Sequence, residues 1–183
     1  SVYLEPDGNF PNHAPNPENA QAMECVSKAT ADSGADFGAI FDTDVDRAGC
    51  VDSTGKEINR NRLVALAAYS AVQGYEGATI VTDSVTSDGL KSYIENDLGG
   101  KHYRYKRGYK NVINKAVELC EQGINCPLAI ETSGHAALRE NYFLDDGAYL
   151  ATKIVIELAR GNKFEEILST LKMPAEEKEI RLN

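Results

Sequence analysis

The feature that most constrains the fold of this chain is an alternation of short apolar segments with longer amphipathic ones after residue 56. Strand patterns occur in ATIVTDSV, KHYRYK and PLAIET, and AALRENYFL is expected to add an antiparallel strand. Helix patterns occur in RNRLVALAAYSAVQ, SDGLKSYIENDL, NVINKAVELCEQ, GAYLATKIVIELARG and KFEEILSTL. Strands separated by helices of this length predict an α/β protein with layered mixed-sheet domains and flanking helices.

The first 56 residues follow a different pattern and are predicted to form a separate unit. Residues 5–17 are dense in Pro, Gly and Asn and are expected to form an irregular loop. Asn16 and Pro17 are expected to cap and begin a helix that Gly34 ends. Strands are then predicted in DFGAIFD and GCVDSTGKE, with an acidic loop between them.

Composition argues against several classes of partner. The chain carries 19 basic and 28 acidic side chains, and no basic cluster is interleaved with aromatic residues. Nucleic acid and anionic membranes are therefore poor candidates. We expect neither a signal peptide nor a membrane-spanning helix, because no apolar run is long enough. The spacing of the cysteines fits neither a zinc site nor a disulfide scaffold, so reduced thiols in a cytoplasmic protein are expected.

The acidic loop is the first candidate site. The stretch FDTDVDR sets carboxylates at alternate positions and closes with an arginine: Asp42, Asp44, Asp46 and Arg47. In an extended strand the outer two would lie roughly 13 Å apart, too far to share an ion at ~2.1 Å, so a curled loop is required. Oxygen donors of this kind suit Mg²⁺. An EF-hand does not fit, because its sixth and twelfth positions would be Arg47 and Ser53.

Three other interpretations of this loop remain open. A solvated acidic turn, in which Arg47 offsets the charge, is common for runs of charge. An acid directly after an apolar strand, with a second acid two residues later, also resembles the first motif of haloacid-dehalogenase-type phosphatases. Asp42 would then be the nucleophile and LDDG would add metal ligands, although Val45 and Asp46 stand where that motif has Gly-Thr. A nucleotide-sugar transferase with an Asp-x-Asp motif has less support.

A second candidate site follows the predicted strand PLAIET, at a strand end of the kind where α/β sheets bind ligands. Its residues are Glu131, Thr132, Ser133, Gly134 and His135. The Glu131 carboxylate can accept hydrogen bonds from sugar hydroxyls, Ser133 can donate or accept, and Gly134 lets the backbone approach closely. The alternative is an ordinary surface acid, a turn serine and a polar histidine with satisfied hydrogen bonds.

Two further segments carry polar residues before predicted helices. Asp145 and Asp146 are expected to cap the helix that follows them. Lys106, Arg107 and Lys110 surround Gly108, and a loop of that kind can hold a phosphate, although surface cations are more often simply solvated.

Taken together and in this order, four segments resemble the α-D-phosphohexomutase superfamily, in particular the bacterial phosphoglucomutase/phosphomannomutase branch. They are PDGNFPNHAPNP, DTDVDR, KRGYKNVI, and ETSGH followed by NYFLDDGAY. The resemblance implies that residues 1–56 form the end of domain 2 with its metal loop. It implies that residues 57–174 form domain 3 with its sugar-recognition loop, and that residues 175–183 lead toward an absent domain 4.

The same resemblance implies the roles of the site residues. Mg²⁺ would be held by Asp42, Asp44 and Asp46. Hexose phosphate and hexose bisphosphate would be bound by the loop from Glu131 to His135, through Glu131, Thr132, Ser133, Gly134 and His135. Arg47 and, with less support, Lys110 would be catalytic.

The activity implied is that of a cytoplasmic isomerase of carbohydrate metabolism, which moves a phosphoryl group within a hexose phosphate through a phosphoserine. No segment resembles the phosphoserine motif or the phosphate-binding loop of domain 4. Domains 1 and 4 are therefore expected as partners, and these residues alone are expected to be inactive. A non-catalytic module that binds metal or sugar phosphate is the alternative.

The sequence departs from the family pattern in both loops. Thr43 and Val45 replace the two glycines of the metal loop, and Ile130 replaces a glycine before the acid of the sugar loop. Because side-chain carboxylates bind the metal, we expect coordination to survive if φ is negative at positions 43 and 45.

Overall fold

The computed structural model describes residues 2–176. Its helices are α1 (Ala20–Ser33), α2 (Asn61–Val72), α3 (Asp88–Ser92), α4 (Tyr109–Glu121), α5 (Gly147–Ala159) and α6 (Phe164–Ile167). Its strands are β1 (Phe37–Phe41), β2 (Ala48–Asp52), β3 (Thr79–Thr82), β4 (Lys101–Arg104), β5 (Leu128–Ile130) and β6 (Ala136–Leu138). A π-helical segment, Tyr93–Asp97, continues α3, and a 3₁₀ turn, Arg139–Asn141, follows β6. Most of the predicted linker, residues 175–183, lies outside the described residues.

The N-terminal unit is an antiparallel hairpin of β1 and β2 covered by α1. The register pairs Phe37 with Asp52 and Phe41 with Ala48, so the acidic loop closes the hairpin between its two strands, as predicted. Helix α1 and the hairpin share a small apolar cluster, made of Ala22, Met23, Ile40 and Val51.

Helix α1 begins later than the sequence analysis predicts. The N-cap is Asn19, whose side chain accepts a hydrogen bond from the amide of Ala22 at 3.1 Å, and not Asn16. The Asn16 side chain is engaged elsewhere, because it accepts from the amide of Glu18 at 2.9 Å and from the guanidinium of Arg47 at 3.3 Å. At the other end Gly34 does stop the helix, at a left-handed φ of 64°.

The C-terminal unit is a four-stranded mixed sheet in the order β4-β3-β5-β6. Strands β4, β3 and β5 run parallel, and β6 is antiparallel to β5, as the sequence analysis expects. Alternate side chains enter two cores, as the two-residue period of a strand requires. Ile80 and Leu128 pack with α2 and α5 on one face, whereas Val81 and Ala129 pack with α4 on the other. The predicted α/β architecture with flanking helices is confirmed.

The two units share one apolar core, and this fixes where the acidic loop lies. Ala48 and Cys50 of β2 belong to the same buried cluster as Ile130 at the end of β5 and Leu150 of α5. The loop that precedes β2 is thereby held next to the segment that follows β5.

The cysteines and the lengths of the helices complete the description of the fold. The four cysteines are free thiols: Cys25, Cys50, Cys120 and Cys126. Within residues 2–176, every helix is too short or too polar to cross a membrane.

Candidate functional site

The acidic loop curls so that its carboxylates converge. Asp42, Asp44 and Asp46 each place an oxygen such that all three oxygens lie within 4.8 Å of one another. This is the geometry that a shared cation requires and that an extended strand forbids. Asp42 is buried, Asp46 is half-buried and Asp44 is exposed, so the cluster opens to solvent on the side of Asp44.

Arg47 neutralises the innermost carboxylate of the loop. Its amide donates to Asp42 Oδ1 at 3.1 Å, and its Nε donates to Oδ2 at 2.8 Å. Burial would raise the pKa of Asp42, but the bonds from Arg47 prevail and hold that pKa below its ordinary value. The guanidinium also lies 3.8 Å from Glu18, which ties the start of α1 to the loop.

Asp46 has two cationic neighbours, with Arg47 Nε 3.9 Å from its Oδ1 and His135 Nδ1 3.5 Å from its Oδ2. Its burial raises its pKa to about 6, and the nearby Asp42 and Asp145 add to the increase while His135 opposes it. Within the described residues, the buried Oδ1 of Asp46 has no hydrogen-bond partner. A buried carboxylate oxygen without a donor, in a cluster of hard oxygen ligands, fits a bound divalent cation such as Mg²⁺.

The backbone of the acidic loop differs from the expectation at one position. Val45 has a φ of 64°, in the left-handed region, so the condition of negative φ is not met there. Thr43 is not among the residues with positive φ. The carboxylates converge all the same. The tight turn is made at the cost of the strain that a β-branched residue carries at a left-handed φ. The condition of negative φ at both positions is therefore wrong for Val45.

The predicted sugar loop follows β5 and is tied to the turn before α4. Glu131 is buried, and its carboxylate accepts from the amide of Gly108 at 2.6 Å and from the hydroxyl of Ser133 at 3.4 Å. Burial raises the pKa of Glu131, although the bond from Gly108 opposes this. Thr132 is bonded differently, because its amide and hydroxyl both donate to Asp83, at 3.0 and 2.7 Å.

The backbone joins the acidic loop to the sugar loop. The amide of Ala48 donates to the carbonyl of Gly134 at 3.3 Å, and Arg47 forms a β-bridge with His135. Gly134 has a φ of 100°, and a Cβ there would lie 2.5 Å from the Ala48 carbonyl oxygen, so glycine permits this close approach. A Cβ on Gly147 would likewise come within 2.6 Å of the Arg47 backbone.

His135 links the two loops through its side chain. Its Nδ1 lies 2.8 Å from Asp145 Oδ2 and 3.5 Å from Asp46 Oδ2. Burial lowers the pKa of His135, but the two carboxylates prevail and raise it above its ordinary value. The Asp145 carboxylate therefore contacts His135 and does not cap α5. The N-cap is Asp146, which accepts from the amide of Tyr149 at 2.8 Å.

The sequence analysis missed Tyr109 and Asp83. The ring of Tyr109 stacks on His135, with centroids 4.7 Å apart and planes inclined by 18°. The only sequence signal for it is an aromatic residue directly after Gly108, at the start of α4. Lys110 is exposed in the first turn of α4, and its Nζ lies 5.8 Å from the Tyr109 ring centroid. Lys106 and Arg107 lie in the exposed turn before it.

Two family models match the chain in sequence. Residues 1–55 match the model described as phosphoglucomutase/phosphomannomutase, alpha/beta/alpha domain II, and residues 59–173 match alpha/beta/alpha domain III of the same proteins. A curated phosphomannomutase/phosphoglucomutase from Pseudomonas putida is 33% identical over 168 residues, which are 91% of this chain and 35% of the relative. The chain thus spans about a third of the length of the curated relatives it matches.

Solved structures agree with these matches. A phosphoglucomutase/phosphomannomutase family protein from Burkholderia thailandensis superposes with a TM-score of 0.78 at 32% identity, over 91% of this chain and 35% of the other. An N-acetylphosphoglucosamine mutase from Aspergillus fumigatus, solved in complex with GlcNAc-6P and magnesium, has a TM-score of 0.51 at 16% identity. That alignment covers 73% of this chain and 35% of the fungal one, and it shows a shared fold.

Proposed function

The chain belongs to the phosphoglucomutase/phosphomannomutase family, and we propose that it supplies the metal loop and the sugar-recognition loop of a Mg²⁺-dependent phosphohexomutase. The observation that carries the proposal is the direct junction of the two loops. The Ala48 amide bonds to Gly134, and Asp46 lies 3.5 Å from His135. A phosphate at the metal and a hexose at the sugar loop would therefore be neighbours.

In this proposal, Asp42, Asp44 and Asp46 hold the metal ion, and Arg47 orders the loop through both oxygens of Asp42. When bound, Mg²⁺ would neutralise charge on the oxygens of the phosphoryl group during transfer. The fungal relative was solved with magnesium and a hexose phosphate, which supports the same pairing of ligands in this family.

The sugar loop would select and orient the hexose. The Glu131 carboxylate is fixed by the Gly108 amide on one oxygen and by Ser133 on the other. An acceptor held in this way can receive hydrogen bonds from sugar hydroxyls without losing further side-chain freedom. Tyr109 and Asp145 hold His135 from two sides, and its charged form would favour a phosphate nearby.

We further propose that the phosphoserine that accepts and returns the phosphoryl group is supplied by other domains of the same polypeptide in the cytoplasm. The chain covers 35% of the curated relative's length, which leaves room for such domains. These 183 residues alone should bind metal and hexose phosphate but should not turn over substrate. The division into domain 2 up to residue 56 and domain 3 from residue 57 to 174 is part of this proposal.

The family membership favours this function over a haloacid-dehalogenase-type phosphatase. The sequence points in the same direction, because Val45 and Asp46 stand where the phosphatase motif has Gly-Thr. A module that binds metal and sugar phosphate without catalysis is the second candidate, because both candidate binding loops lie in these residues.

The proposal is tested with the complete polypeptide that contains this chain. It is incubated with glucose 1-phosphate or mannose 1-phosphate, a trace of the hexose 1,6-bisphosphate and Mg²⁺, and the products are followed by ³¹P NMR. We expect the 6-phosphate to form and EDTA to stop its formation. Release of inorganic phosphate, or no conversion by the complete polypeptide, would contradict the mutase assignment.

A further inference from the structure

A buried aspartate lies behind the sugar loop and is not explained by metal or substrate binding. Asp83 follows the end of β3, beside the end of β5, and its exposed fraction is 0%. Its Oδ2 accepts two hydrogen bonds from Thr132, one from the amide at 3.0 Å and one from the hydroxyl at 2.7 Å. Thr132 lies between Glu131 and Ser133, so this contact is made in the middle of the sugar loop.

The second oxygen of Asp83 makes this contact unusual. Within residues 2–176, Asp83 Oδ1 is buried and has no hydrogen-bond partner. A buried carboxylate with an unsatisfied oxygen is unfavourable for folding, and it persists where the surroundings hold it for another purpose. The neighbouring Glu131 carboxylate is also buried, and the charge of Asp83 adds to the burial that raises the pKa of Glu131. Two buried acids are therefore neighbours at this position, and one of them belongs to the sugar loop.

We propose that Asp83 is the positioning residue of the sugar-recognition loop. By holding the amide and the hydroxyl of Thr132, Asp83 fixes the peptide that orients the Glu131 carboxylate and the Ser133 hydroxyl toward a hexose. This inference rests on the proposed function, since the loop must bind a sugar for its orientation to matter. Asp83 itself makes no contact with the substrate in this proposal.

The chain contains a matched control for this contact. Asp52 is likewise buried, and its Oδ1 accepts from the amide and the hydroxyl of Thr54 at 2.9 and 2.6 Å. The same pair of bonds therefore joins the end of β2 to the turn that follows it, away from both candidate loops, although Asp52 and Thr54 are 2 positions apart and Asp83 and Thr132 are 49 apart. If the contact between Asp83 and Thr132 contributed only to stability, substitutions at Asp83 and at Asp52 would both lower the melting temperature and leave KM unchanged.

The experiment compares the complete wild-type polypeptide with five variants: Asp83→Ala, Asp83→Asn, Thr132→Val, Thr132→Ser and Asp52→Ala. Three properties are measured for each: hydrogen exchange of the peptide that contains residues 128–135, KM and kcat for glucose 1-phosphate, and the melting temperature.

For Asp83→Ala we expect exchange at Thr132 to increase by at least about fivefold, the factor set by losing one net hydrogen bond. The KM for glucose 1-phosphate should rise by up to about 25-fold, as two such bonds to the loop are lost. Asp83→Asn should stay within about threefold of the wild-type KM, because one amide oxygen still accepts both bonds. Asp52→Ala should lower the melting temperature and leave KM unchanged.

If Asp83→Ala does not fold, the variants Thr132→Val and Thr132→Ser still test the role of Asp83. Thr132→Val removes only the hydroxyl bond and should raise KM by a smaller factor, and Thr132→Ser should restore it. An unchanged KM in both Asp83→Ala and Thr132→Val would overturn the inference, as would unchanged loop exchange in Asp83→Ala. A wild-type polypeptide that neither binds nor converts the sugar phosphate would instead overturn the proposed function. The exchange measurement would still decide whether Asp83 holds the loop.

Discussion

Glycine at position 45 should give a more stable protein than alanine at the same position, although both substitutions remove the apolar side chain of Val45. Val45 has a φ of 64°, and a left-handed conformation costs an L-residue about 1–2 kcal/mol. Glycine removes that strain but costs about 0.5–1 kcal/mol through the larger conformational freedom of the unfolded chain. Because only 37% of Val45 is exposed, both substitutions also lose apolar burial, and comparing glycine with alanine at this position cancels most of that loss. The free energy of unfolding of Val45→Gly should therefore exceed that of Val45→Ala by about 0.5–1 kcal/mol.

Thr43→Gly is the matched control for this prediction. Thr43 is exposed in the same loop but is not at positive φ, so glycine there should only destabilise, by about 0.5–1 kcal/mol. Urea unfolding of both glycine variants and of Val45→Ala and Thr43→Ala gives the comparison. Glycine should be more stabilising than alanine at position 45 and less stabilising than alanine at position 43. If Val45→Gly is less stable than Val45→Ala, then the acidic loop carries no strain at Val45 and the argument from φ is wrong.

Three other predictions follow from the structure. Gly134→Ala places a Cβ 2.5 Å from the Ala48 carbonyl and should cost about 2–4 kcal/mol, whereas Gly123→Ala has similar φ but open space and should cost about 1 kcal/mol in urea unfolding. Burial lowers the pKa of His102 to about 4, so stability present above pH 6.5 should fall as the pH drops toward 4. The loss between pH 7.5 and pH 5 should be about 1–2 kcal/mol, and a His102→Gln variant measured at both values should not show it. In the complete polypeptide, Glu131→Ala should raise KM for hexose phosphates and leave Mg²⁺ affinity intact, and unchanged kinetics for every hexose phosphate would refute the role of Glu131.

The sequence was sufficient to predict the order of helices and strands because periodicity and turn residues are local signals. The alternation after residue 56 led directly to the mixed sheet, and the run FDTDVDR was correctly placed in the loop between β1 and β2. The start of α1 was predicted too early, because two asparagines compete for the cap. The hydrogen bond from Arg47 to Asn16 joins residues that are 31 positions apart, so no local sequence pattern predicts it.

The contacts that assemble the site were beyond sequence reasoning for the same reason. Asp83 and Thr132 are 49 positions apart, and their contact depends on β3 and β5 being neighbours in the sheet. Tyr109 meets His135 only because the turn before α4 lies over the end of β5. The roles of Asp145 and Asp146 could not be separated either, since both precede α5 and only one can cap it.

Mg²⁺ binding by the acidic loop is the measurement that tests this account most directly. Isothermal titration compares the wild type with Asp44→Asn, which alters an exposed ligand, and with Asp36→Asn, an exposed aspartate outside the loop. We expect one ion to bind the wild type and Asp36→Asn equally. Asp44→Asn should bind more than about tenfold more weakly, because even outer-shell substitutions at metal sites cost that much. Equal Mg²⁺ affinities for the wild type and Asp44→Asn would contradict the assignment of the loop as a metal site.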